Sequence, residues 1–408
     1  MVFFYHIIMY VLEFSLETIA FFSKGKIRLG VEGRKNTLQI INAKRDFSKK
    51  LIWFHAASLG EFEQGRPLLE KMKSQYPDYQ ILLTFFSPSG YEIRKNYAHA
   101  DIIVYLPIDT KRNAISFLDA VKPSMIFFIK YEFWYYFLKI ATDKKIPTYY
   151  VAAIFRPEQF FFAWYGKFMQ PVLHAIKHYF VQNETSQKQL ETIGVFQVSN
   201  VGDTRIDRVV ELASDTQNFA IVEDFCQQKN TMVIGSSWQQ DEAILLPFIN
   251  KNRDWKFIIA PHEINENNLQ NIENQAFVKV IRYSKYDNDS DASVLLIDNI
   301  GMLNALYRYG KIAYIGGGFG SGIHNTLEPM AYNIPVVFGP KYQKFQEANA
   351  MISTTLQGAF SIKNKQDLDL TFAFLKDEKN YNAAAQTVCE YMENNKGATD
   401  KIIAFLQE

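Results

Sequence analysis

The feature that most constrains this chain is an alternation of short apolar runs with longer amphipathic segments, which begins at residue 51 and occurs twice. The apolar runs predict strands at Leu51–His55, Gln80–Thr84, Ile102–Tyr105, Met125–Ile129, Thr148–Ala152 and Tyr179–Val181, then at Met232–Gly235, Lys256–Ala260, Val278–Ile281, Val294–Ile297, Lys311–Ile315 and Pro335–Phe338. The segments between them, such as Glu63–Ser74, Arg112–Ala120 and Tyr135–Thr142, predict helices. Strands that alternate with helices form parallel sheets covered on both faces. The sequence therefore predicts an α/β chain with two parallel sheets.

Length and composition agree with two domains. The chain has 408 residues, of which 48% are apolar, and apolar periodicity lapses around residues 203–218. We therefore predict an apolar membrane-proximal segment at 1–35, one Rossmann-like domain at 36–208 and a second at 209–408. A net charge of +1 gives no global reason to expect nucleic acid. Cys226 and Cys389 have no metal-ligand or disulfide pattern, which favours a reducing compartment.

The first 22 residues are apolar apart from His6, Glu13 and Glu17. Their uncharged run, Met1–Leu12, is shorter than the roughly 20 residues that span a bilayer, and basic residues follow it. This pattern predicts a helix lying on the cytoplasmic surface of the membrane. The alternative is an ordinary amphipathic helix that covers a core. A cleaved signal peptide is disfavoured because its basic residues would come first.

Two acidic residues follow the ends of predicted strands in the first half. The motif His55-Ala56-Ala57-Ser58-Leu59-Gly60-Glu61 ends a strand and opens a helix, so Glu61 is either a general base or a carboxylate that caps the helix. The motif Lys130-Tyr131-Glu132-Phe133-Trp134 puts a second carboxylate after another strand. Ligands of parallel sheets bind beyond the carboxyl ends of the strands, which makes both motifs candidates for a site.

A basic residue lies near the predicted domain boundary, in Gly202-Asp203-Thr204-Arg205-Ile206-Asp207. A guanidinium can bind a departing phosphate through a forked pair of hydrogen bonds. The alternative for Arg205 is an ion pair with Asp203 or Asp207.

The second half carries a glycine-rich motif, with five glycines between Gly316 and Gly322, followed by Ile323-His324-Asn325-Thr326-Leu327-Glu328. It follows a predicted strand and leads into a predicted helix, so its backbone N–H groups are expected to surround an anion. It lacks the Lys and Ser/Thr of a nucleoside-triphosphate loop, which disfavours ATP. Glu328 is placed to accept hydrogen bonds from ribose hydroxyls.

These motifs, taken in order with Gly235–Glu242, Pro261-His262-Glu263 and Asp298–Leu303, resemble the bacterial 3-deoxy-D-manno-octulosonic acid (Kdo) transferases from about Trp53 to Glu347. The resemblance implies the GT-B fold, in which two Rossmann-like domains face each other across a cleft. It implies transfer of Kdo from CMP-Kdo to the lipid A precursor (lipid IVA), with inversion, in lipopolysaccharide biosynthesis. It also implies a location at the cytoplasmic face of the inner membrane, with no metal or other cofactor.

The family pattern assigns roles to individual residues. It implies that Glu61 is the general base and that Glu132 and Arg205 stabilise the transition state. It implies a CMP-Kdo site formed by Ser58, Gly60, Ser237, Pro261, His262, Ile300, Gly301, Met302, Gly317, Gly318, Asn325, Thr326, Leu327 and Glu328. The chain departs from the family pattern at three of these motifs, where His262 replaces Arg, Met302 replaces Glu, and Lys130 replaces a first Glu.

Two alternative functions are compatible with the sequence. The same fold would suit a transferase that uses a UDP-sugar, and the three departures would suit a catalytically silent scaffold of the cell envelope. Six aromatic residues between Phe160 and Phe168 predict either an interfacial patch that receives acyl chains or part of the core.

Overall fold

The computed structural model describes residues 1–214, 218–287, 291–353, 355 and 357–407. The chain divides into two compact units. Unit 1 consists of Met1–Arg208 with Gly397–Glu408, and unit 2 consists of Val209–Lys396.

Unit 1 is built on a parallel sheet that has seven strands within the described residues, in the order β3-β2-β1-β4-β5-β6-β7. The strands are β1 (Leu51–Ala56), β2 (Gln80–Phe85), β3 (Ile102–Tyr105), β4 (Met125–Ile129), β5 (Thr148–Ala153), β6 (His178–Val181) and β7 (Val198–Asn200). Successive residues of a strand point to opposite faces, so Trp53 packs in the core on one side and Phe54 in the core on the other. The sheet is therefore buried on both faces, as predicted for a parallel sheet.

The helices of unit 1 cover both faces of this sheet. They are α1 (Val2–Phe22), α2 (Lys26–Lys35), α3 (Thr37–Lys44), α4 (Leu59–Gln75), α5 (Pro88–Arg94), α6 (Lys111–Val121), α7 (Tyr135–Asp143), α8 (Gln170–His174), α9 (Glu184–Glu191), α10 (Thr204–Ser214), which crosses the unit boundary, and α19 (Ala398–Gln407). Short 3-10 turns lie at Phe160–Phe162 and Trp164–Met169.

Unit 2 contains a second parallel sheet, also with seven strands within the described residues, in the order β10-β11-β9-β8-β12-β13-β14. The strands are β8 (Thr231–Ser237), β9 (Lys256–Pro261), β10 (Val280–Arg282), β11 (Val294–Leu296), β12 (Ile312–Ile315), β13 (Val336–Phe338) and β14 (Ala359–Ser361). The helices are α11 (Ala220–Cys226), α12 (Gln239–Ile249), α13 (Glu266–Gln275), α14 (Leu303–Leu306), α15 (Leu327–Met330), α16 (Gln346–Ser353), α17 (Lys365–Lys376) and α18 (Glu378–Asn395), with 3-10 turns at Tyr283–Lys285 and Tyr307–Tyr309.

Each sheet has a point where the chain reverses the direction in which strands are added. In unit 1 this point lies between β1 and β4, and in unit 2 it lies between β8 and β12. Ligands of open parallel sheets bind outside the carboxyl ends of the strands at such a point. The residues that follow these four strands are therefore the candidates for function.

The last helix lies in a different unit from the one assigned from sequence. The sequence assigns residues 397–408 to the second domain, whereas the structure places α19 in unit 1. Ile402 and Ile403 are buried in the unit 1 core, and Asp207 accepts hydrogen bonds from the N–H groups of Gly397 (2.6 Å) and Thr399 (2.7 Å) at the start of the helix. An apolar face and a distant side-chain cap thus fix the helix to unit 1, and neither is apparent from local sequence.

The N-terminal helix α1 has two distinct faces. On one face, Tyr5 donates a hydrogen bond to Asp109 (2.6 Å) and Glu13 accepts one from Asn113 (2.6 Å). The other face exposes large apolar side chains: Phe3, Phe4, Ile7, Ile8, Val11 and Phe14. Length and composition alone would allow this helix to cross a membrane. Its polar side chains bind it to the rest of unit 1, and its orientation at a membrane stays a prediction.

Candidate active site

Glu61 lies in the first turn of α4, directly after β1 at the reversal point of unit 1. Its side chain is 7% exposed, and Oε2 accepts a hydrogen bond from the backbone N–H of Ala57 at 2.6 Å. Burial raises the pKa of Glu61 above its ordinary value, although the N–H groups of Ala57 and Ser58 and the charge of Lys130 act in the opposite direction. Glu61 therefore bonds to the backbone as a helix-start carboxylate does, and its raised pKa also suits a general base.

Glu132 follows β4, the strand that pairs with β1. Burial, together with the charge of the nearby Glu61, raises the pKa of Glu132 to about 7. Two carboxylates near one sheet edge thus have raised pKa values, a combination that is common at acid–base sites and rare on ordinary surfaces.

His55, the penultimate residue of β1, lies close to Glu132. Its Nε2 lies 4.0 Å from Oε2 of Glu132, and its Nδ1 lies 2.8 Å from Oγ1 of Thr84. Full burial lowers the pKa of His55 to about 3, so the imidazole is neutral. Within the described residues, Nε2 is buried and has no hydrogen-bond partner. This residue was not among the predicted site residues, although a histidine inside an apolar strand was a signal for it.

Arg205 forms one of the two ion pairs expected from sequence. Its Nε and Nη2 lie 2.8 Å and 2.6 Å from Oδ2 of Asp203. The other candidate partner, Asp207, binds the start of α19 instead. The structure thus places Arg205 in a local ion pair, and its role toward a phosphate stays a prediction.

A cavity of about 310 Å³ adjoins Glu132. It is lined by Tyr131, Glu132, Phe133, Trp134, Gln159, Phe160 and Phe161. Phe161 belongs to the core, whereas Trp164 and Tyr165 are exposed. Part of the aromatic segment is therefore core and part is exposed, and contact of the exposed part with acyl chains stays a prediction.

The glycine-rich loop of unit 2 follows β12 and is fastened by Asp241. This fully buried carboxylate accepts hydrogen bonds from the N–H groups of Trp238 (2.9 Å) and Gly317 (2.8 Å) and from the hydroxyl of Tyr314 (2.8 Å). A side chain at Gly318 would lie 2.6 Å from the backbone of Gly339. The glycines therefore allow close packing of the loop between neighbouring strand ends.

The loop differs from the predicted anion cradle in two respects. The N–H groups of Gly316, Gly317, Gly320 and Gly322 all donate hydrogen bonds within unit 2, and the helix α15 behind the loop has only four residues. Most of the loop N–H groups therefore already have partners within unit 2, and fewer of them are left to bind an anion than the sequence suggested. The short helix also adds only a small dipole. The side chains around the loop become the more important candidates.

A cavity of about 370 Å³ lies beside this loop, within the range of small-molecule sites. It is lined by Ser236, Gly301, Leu303, Asn304, Tyr307, His324, Asn325 and Glu328. Glu328 accepts a hydrogen bond from Nδ2 of Asn325 at 3.0 Å, and burial raises the pKa of its carboxyl. Gly301, Asn325 and Glu328 are thus brought together as predicted from the family pattern, whereas Ser236, Asn304 and Tyr307 were missed.

Three rings are stacked next to this cavity. Trp238 and His262 lie 4.3 Å apart between ring centres, His262 and His324 lie 4.6 Å apart, and the indole N–H of Trp238 donates to Nε2 of His324 at 3.0 Å. Of the three, only His262 was predicted from sequence as a ligand-binding residue. The chain thus presents two imidazoles near the position where the family pattern has an arginine.

The remaining predicted nucleotide residues have varied environments. Ile300 is almost fully exposed, whereas Thr326 and Leu327 are buried. The Ser237 hydroxyl donates to Glu242 at 2.9 Å. None of these side chains lines the cavity beside the loop as the structure describes it, so their contact with a nucleotide stays a prediction.

Comparisons with known proteins agree with the resemblance. Residues 28–208 match the family model described as 3-Deoxy-D-manno-octulosonic-acid transferase (kdotransferase). A 3-deoxy-D-manno-octulosonic acid transferase of Aquifex aeolicus is 26% identical over 78% of this chain and 84% of its own length. A bifunctional glycosyltransferase/methyltransferase of Fusobacterium nucleatum is 24% identical over 86% of this chain, and the aligned region spans 57% of that longer protein.

Solved structures show the same architecture. The UDP-GlcNAc 2-epimerase of Neisseria meningitidis bound to UDP-GlcNAc matches with a TM-score of 0.61 and 18% identity over 88% of this chain and 99% of the epimerase. At this identity the match concerns the fold alone. Together with the two parallel sheets, it confirms the predicted α/β class of the GT-B type.

Proposed function

We propose that this chain, which is similar to Kdo transferases, transfers Kdo from CMP-Kdo to the lipid A precursor, with inversion. One observation supports this proposal most strongly. Glu61, the residue to which the family pattern assigns the general base, is buried in the first turn of α4 and has a raised pKa. A raised pKa makes the carboxylate a better proton acceptor, as activation of a sugar hydroxyl requires.

The proposed reaction begins at the acceptor. Glu61 takes the proton of a hydroxyl group on the lipid A precursor, and the hydroxyl oxygen forms a bond to the anomeric carbon of Kdo. The bond between that carbon and the phosphate oxygen breaks on the opposite side, and cytidine monophosphate leaves. Glu132 and Arg205 stabilise the charges that develop, because fixed charges close to the reacting atoms lower the barrier without reorganising.

Unit 2 is proposed to hold the donor nucleotide. Its cavity has the volume of a small-molecule site, and Glu328 at its wall can accept hydrogen bonds from ribose hydroxyls. The stacked rings of Trp238, His262 and His324 add flat surfaces on which a base can stack and imidazoles that can bind a phosphate. These features support CMP-Kdo as the donor despite the departures at His262 and Met302.

We place the chain at the cytoplasmic surface of the inner membrane. The exposed apolar face of α1 supports membrane association, and the exposed aromatic patch beside the Glu132 cavity supports an acceptor with acyl chains. CMP-Kdo is proposed to reach the protein from the same side of the membrane.

A donor comparison tests the proposal. Purified full-length chain is mixed with lipid A precursor and either CMP-Kdo generated in situ or a UDP-sugar, and the lipid product is analysed by mass spectrometry. The expected result is addition of Kdo only from CMP-Kdo. Transfer from a UDP-sugar would replace the donor assignment, and no product with either donor would indicate a silent scaffold.

A further inference from the structure

Lys130 has an unusual backbone conformation at the reversal point of unit 1. It directly follows β4, its N–H donates to the carbonyl oxygen of Val151 at 2.8 Å, and its φ is +68°. Residues other than glycine rarely adopt this left-handed region, because Cβ approaches the backbone too closely. Such strain persists where the surrounding structure imposes it, which is often at a functional site.

The ammonium group of Lys130 lies among charges without being paired to one. Its side chain is half-buried, and Nζ lies 5.4 Å from the centre of the Tyr131 ring. Within the described residues it has no side-chain hydrogen bond and no ion pair. Burial lowers the pKa of Lys130, the charges of Glu61 and Asp203 raise it, and those of Arg205 and Arg156 lower it.

The two nearby carboxylates are already engaged. Asp203 binds the guanidinium of Arg205, and Glu61 accepts the N–H of Ala57. The charges of Arg156 and Arg205 act on Lys130 together with those of Glu61 and Asp203, so this part of unit 1 holds three cations close to carboxylates that already have other partners. A partly buried ammonium without a partner has lost some hydration and gains free energy when an anion restores its hydrogen bonds.

From this arrangement we propose that Lys130 binds an anionic oxygen group of a substrate beside Glu61. The proposal rests on the proposed function, which offers two sources of such a group. One is the carboxylate of Kdo. This group is bonded to the anomeric carbon, which the acceptor hydroxyl attacks after Glu61 takes its proton. The other is a phosphate of the lipid A precursor. An ammonium suits both, because it is a compact charge with three donors.

Steady-state kinetics of variants tests the proposal. Lys130→Met removes the charge, and Lys130→Gly removes it while relieving the backbone, since glycine adopts positive φ freely. Both variants should raise the KM for one anionic substrate by about 10-fold or more, the effect of losing one hydrogen bond between charged groups. Lys130→Arg should recover part of this loss. The matched control is Lys145→Met, an exposed lysine that also has a positive φ, of +56°, and it should leave both KM values unchanged.

The two sources of the anion give different results. A higher KM for CMP-Kdo, with the acceptor KM unchanged, would identify the Kdo carboxylate. A higher KM of the variants for the acceptor, with no difference from the unsubstituted chain when the acceptor is dephosphorylated, would identify the acceptor phosphate. Wild-type KM values in both Lys130→Met and Lys130→Gly would overturn the inference and leave the proposed function intact. No turnover by the unsubstituted chain would overturn both.

Discussion

At the scale of single residues, burial sets the properties of the acid–base pair. Glu61 and Glu132 follow neighbouring strands, and each is removed from water, which disfavours the charged form of a carboxyl group. The charge of Glu61 also raises the pKa of Glu132, so protonation of one carboxyl affects the other. The neutral His55 adds no positive charge to oppose this effect. The site therefore holds two carboxyl groups with raised pKa values, of which that of Glu132 is about 7, at a cost in stability.

The first prediction concerns that cost. The pKa of Glu132 is raised from 4.5 to about 7, so the folded chain retains this proton in a pH range where the unfolded chain has lost it. Stability therefore falls as the pH rises from 4.5 to 7, by up to about 3 kcal/mol. Glu132→Gln removes the titration. It should raise the free energy of unfolding at pH 8 and leave it nearly unchanged at pH 4.5, as measured by urea denaturation.

The control for this prediction is Glu158→Gln, the same substitution at an exposed position in unit 1. It should give no gain that depends on pH. An equal effect of Glu132→Gln at both pH values would show that the Glu132 carboxyl does not titrate differently in the folded chain.

Site residues that lie in sequence motifs were easier to predict than residues whose importance depends on contacts with distant parts of the chain. Glu61, Glu132 and Arg205 follow strand ends or glycine turns and match a family pattern, so they could be named in advance. His55 was not named, because its contacts with Thr84 in the next strand and with Glu132 after another strand are not local in sequence. The same holds for Asp241, whose partner Gly317 is 76 residues away.

At the scale of elements, strands with apolar runs were predictable, whereas the edge strands β7 and β14 were not. β1 and β4 are five or six residues long and almost wholly buried, so their apolar runs define them. β7 and β14 have three residues each, end their sheets and are only partly buried, so no run marks them. The helix predicted after the glycine loop has only four residues, because Pro329 and the turn at Asn333 follow its start.

The second prediction concerns the fastening of the glycine loop. Asp241→Asn replaces one carboxylate oxygen, which accepts hydrogen bonds, with an amide NH2 group, which donates them. The neighbouring groups of Trp238, Gly317 and Tyr314 are all donors, so the new NH2 group cannot replace the lost acceptor. One buried hydrogen bond to a charged acceptor is lost, which should cost about 1–3 kcal/mol in stability and weaken CMP binding. Thermal denaturation and calorimetric titration with CMP measure the two effects.

The matched substitution for this test is Asp254→Asn, in unit 2 at an exposed ion pair with Lys376. It should change both quantities little, as exposed ion pairs contribute little. Normal CMP binding by Asp241→Asn would show that the loop does not need this fastening for nucleotide binding.

The third prediction concerns α19. Ile402 is fully buried in the unit 1 core, so Ile402→Ala should destabilise that unit by about 2–5 kcal/mol. Hydrogen exchange should become faster in β1 and α4, and peptides of the unit 2 sheet should exchange as before. Phe374→Ala, at a half-exposed position in unit 2, is the control. Faster exchange confined to unit 2 in Ile402→Ala would contradict the assignment of α19.

At the scale of the whole molecule, two sheets of similar architecture present different chemistry at their reversal points. Unit 1 places buried carboxyl groups and cations there, and unit 2 places a cavity, a stacked set of rings and Glu328. The duplicated strand–helix pattern predicted this architecture. The return of α19 to unit 1 was not predicted, because it depends on contacts between distant parts of the chain.

The fourth prediction concerns attachment to lipid. The exposed face of α1 contains Ile8 and Val11, so the double variant Ile8→Asp, Val11→Asp should lose most binding to anionic vesicles in a sedimentation assay. Each charge opposes insertion of the apolar face. Phe196→Asp, at an exposed apolar position elsewhere in unit 1, should bind as the unsubstituted chain does. Equal loss in both variants would show that α1 is not the membrane-binding element.

The fifth and most direct test concerns Glu61 as the base of a Kdo transferase. The unsubstituted chain and Glu61→Gln are assayed side by side for Kdo transfer from CMP-Kdo to lipid A precursor, with CMP binding measured in parallel. Glutamine keeps the shape but cannot take the proton, so the rate should fall by about 10²–10⁴-fold while CMP affinity stays unchanged. A Glu61→Gln variant that turns over at the rate of the unsubstituted chain would contradict the account.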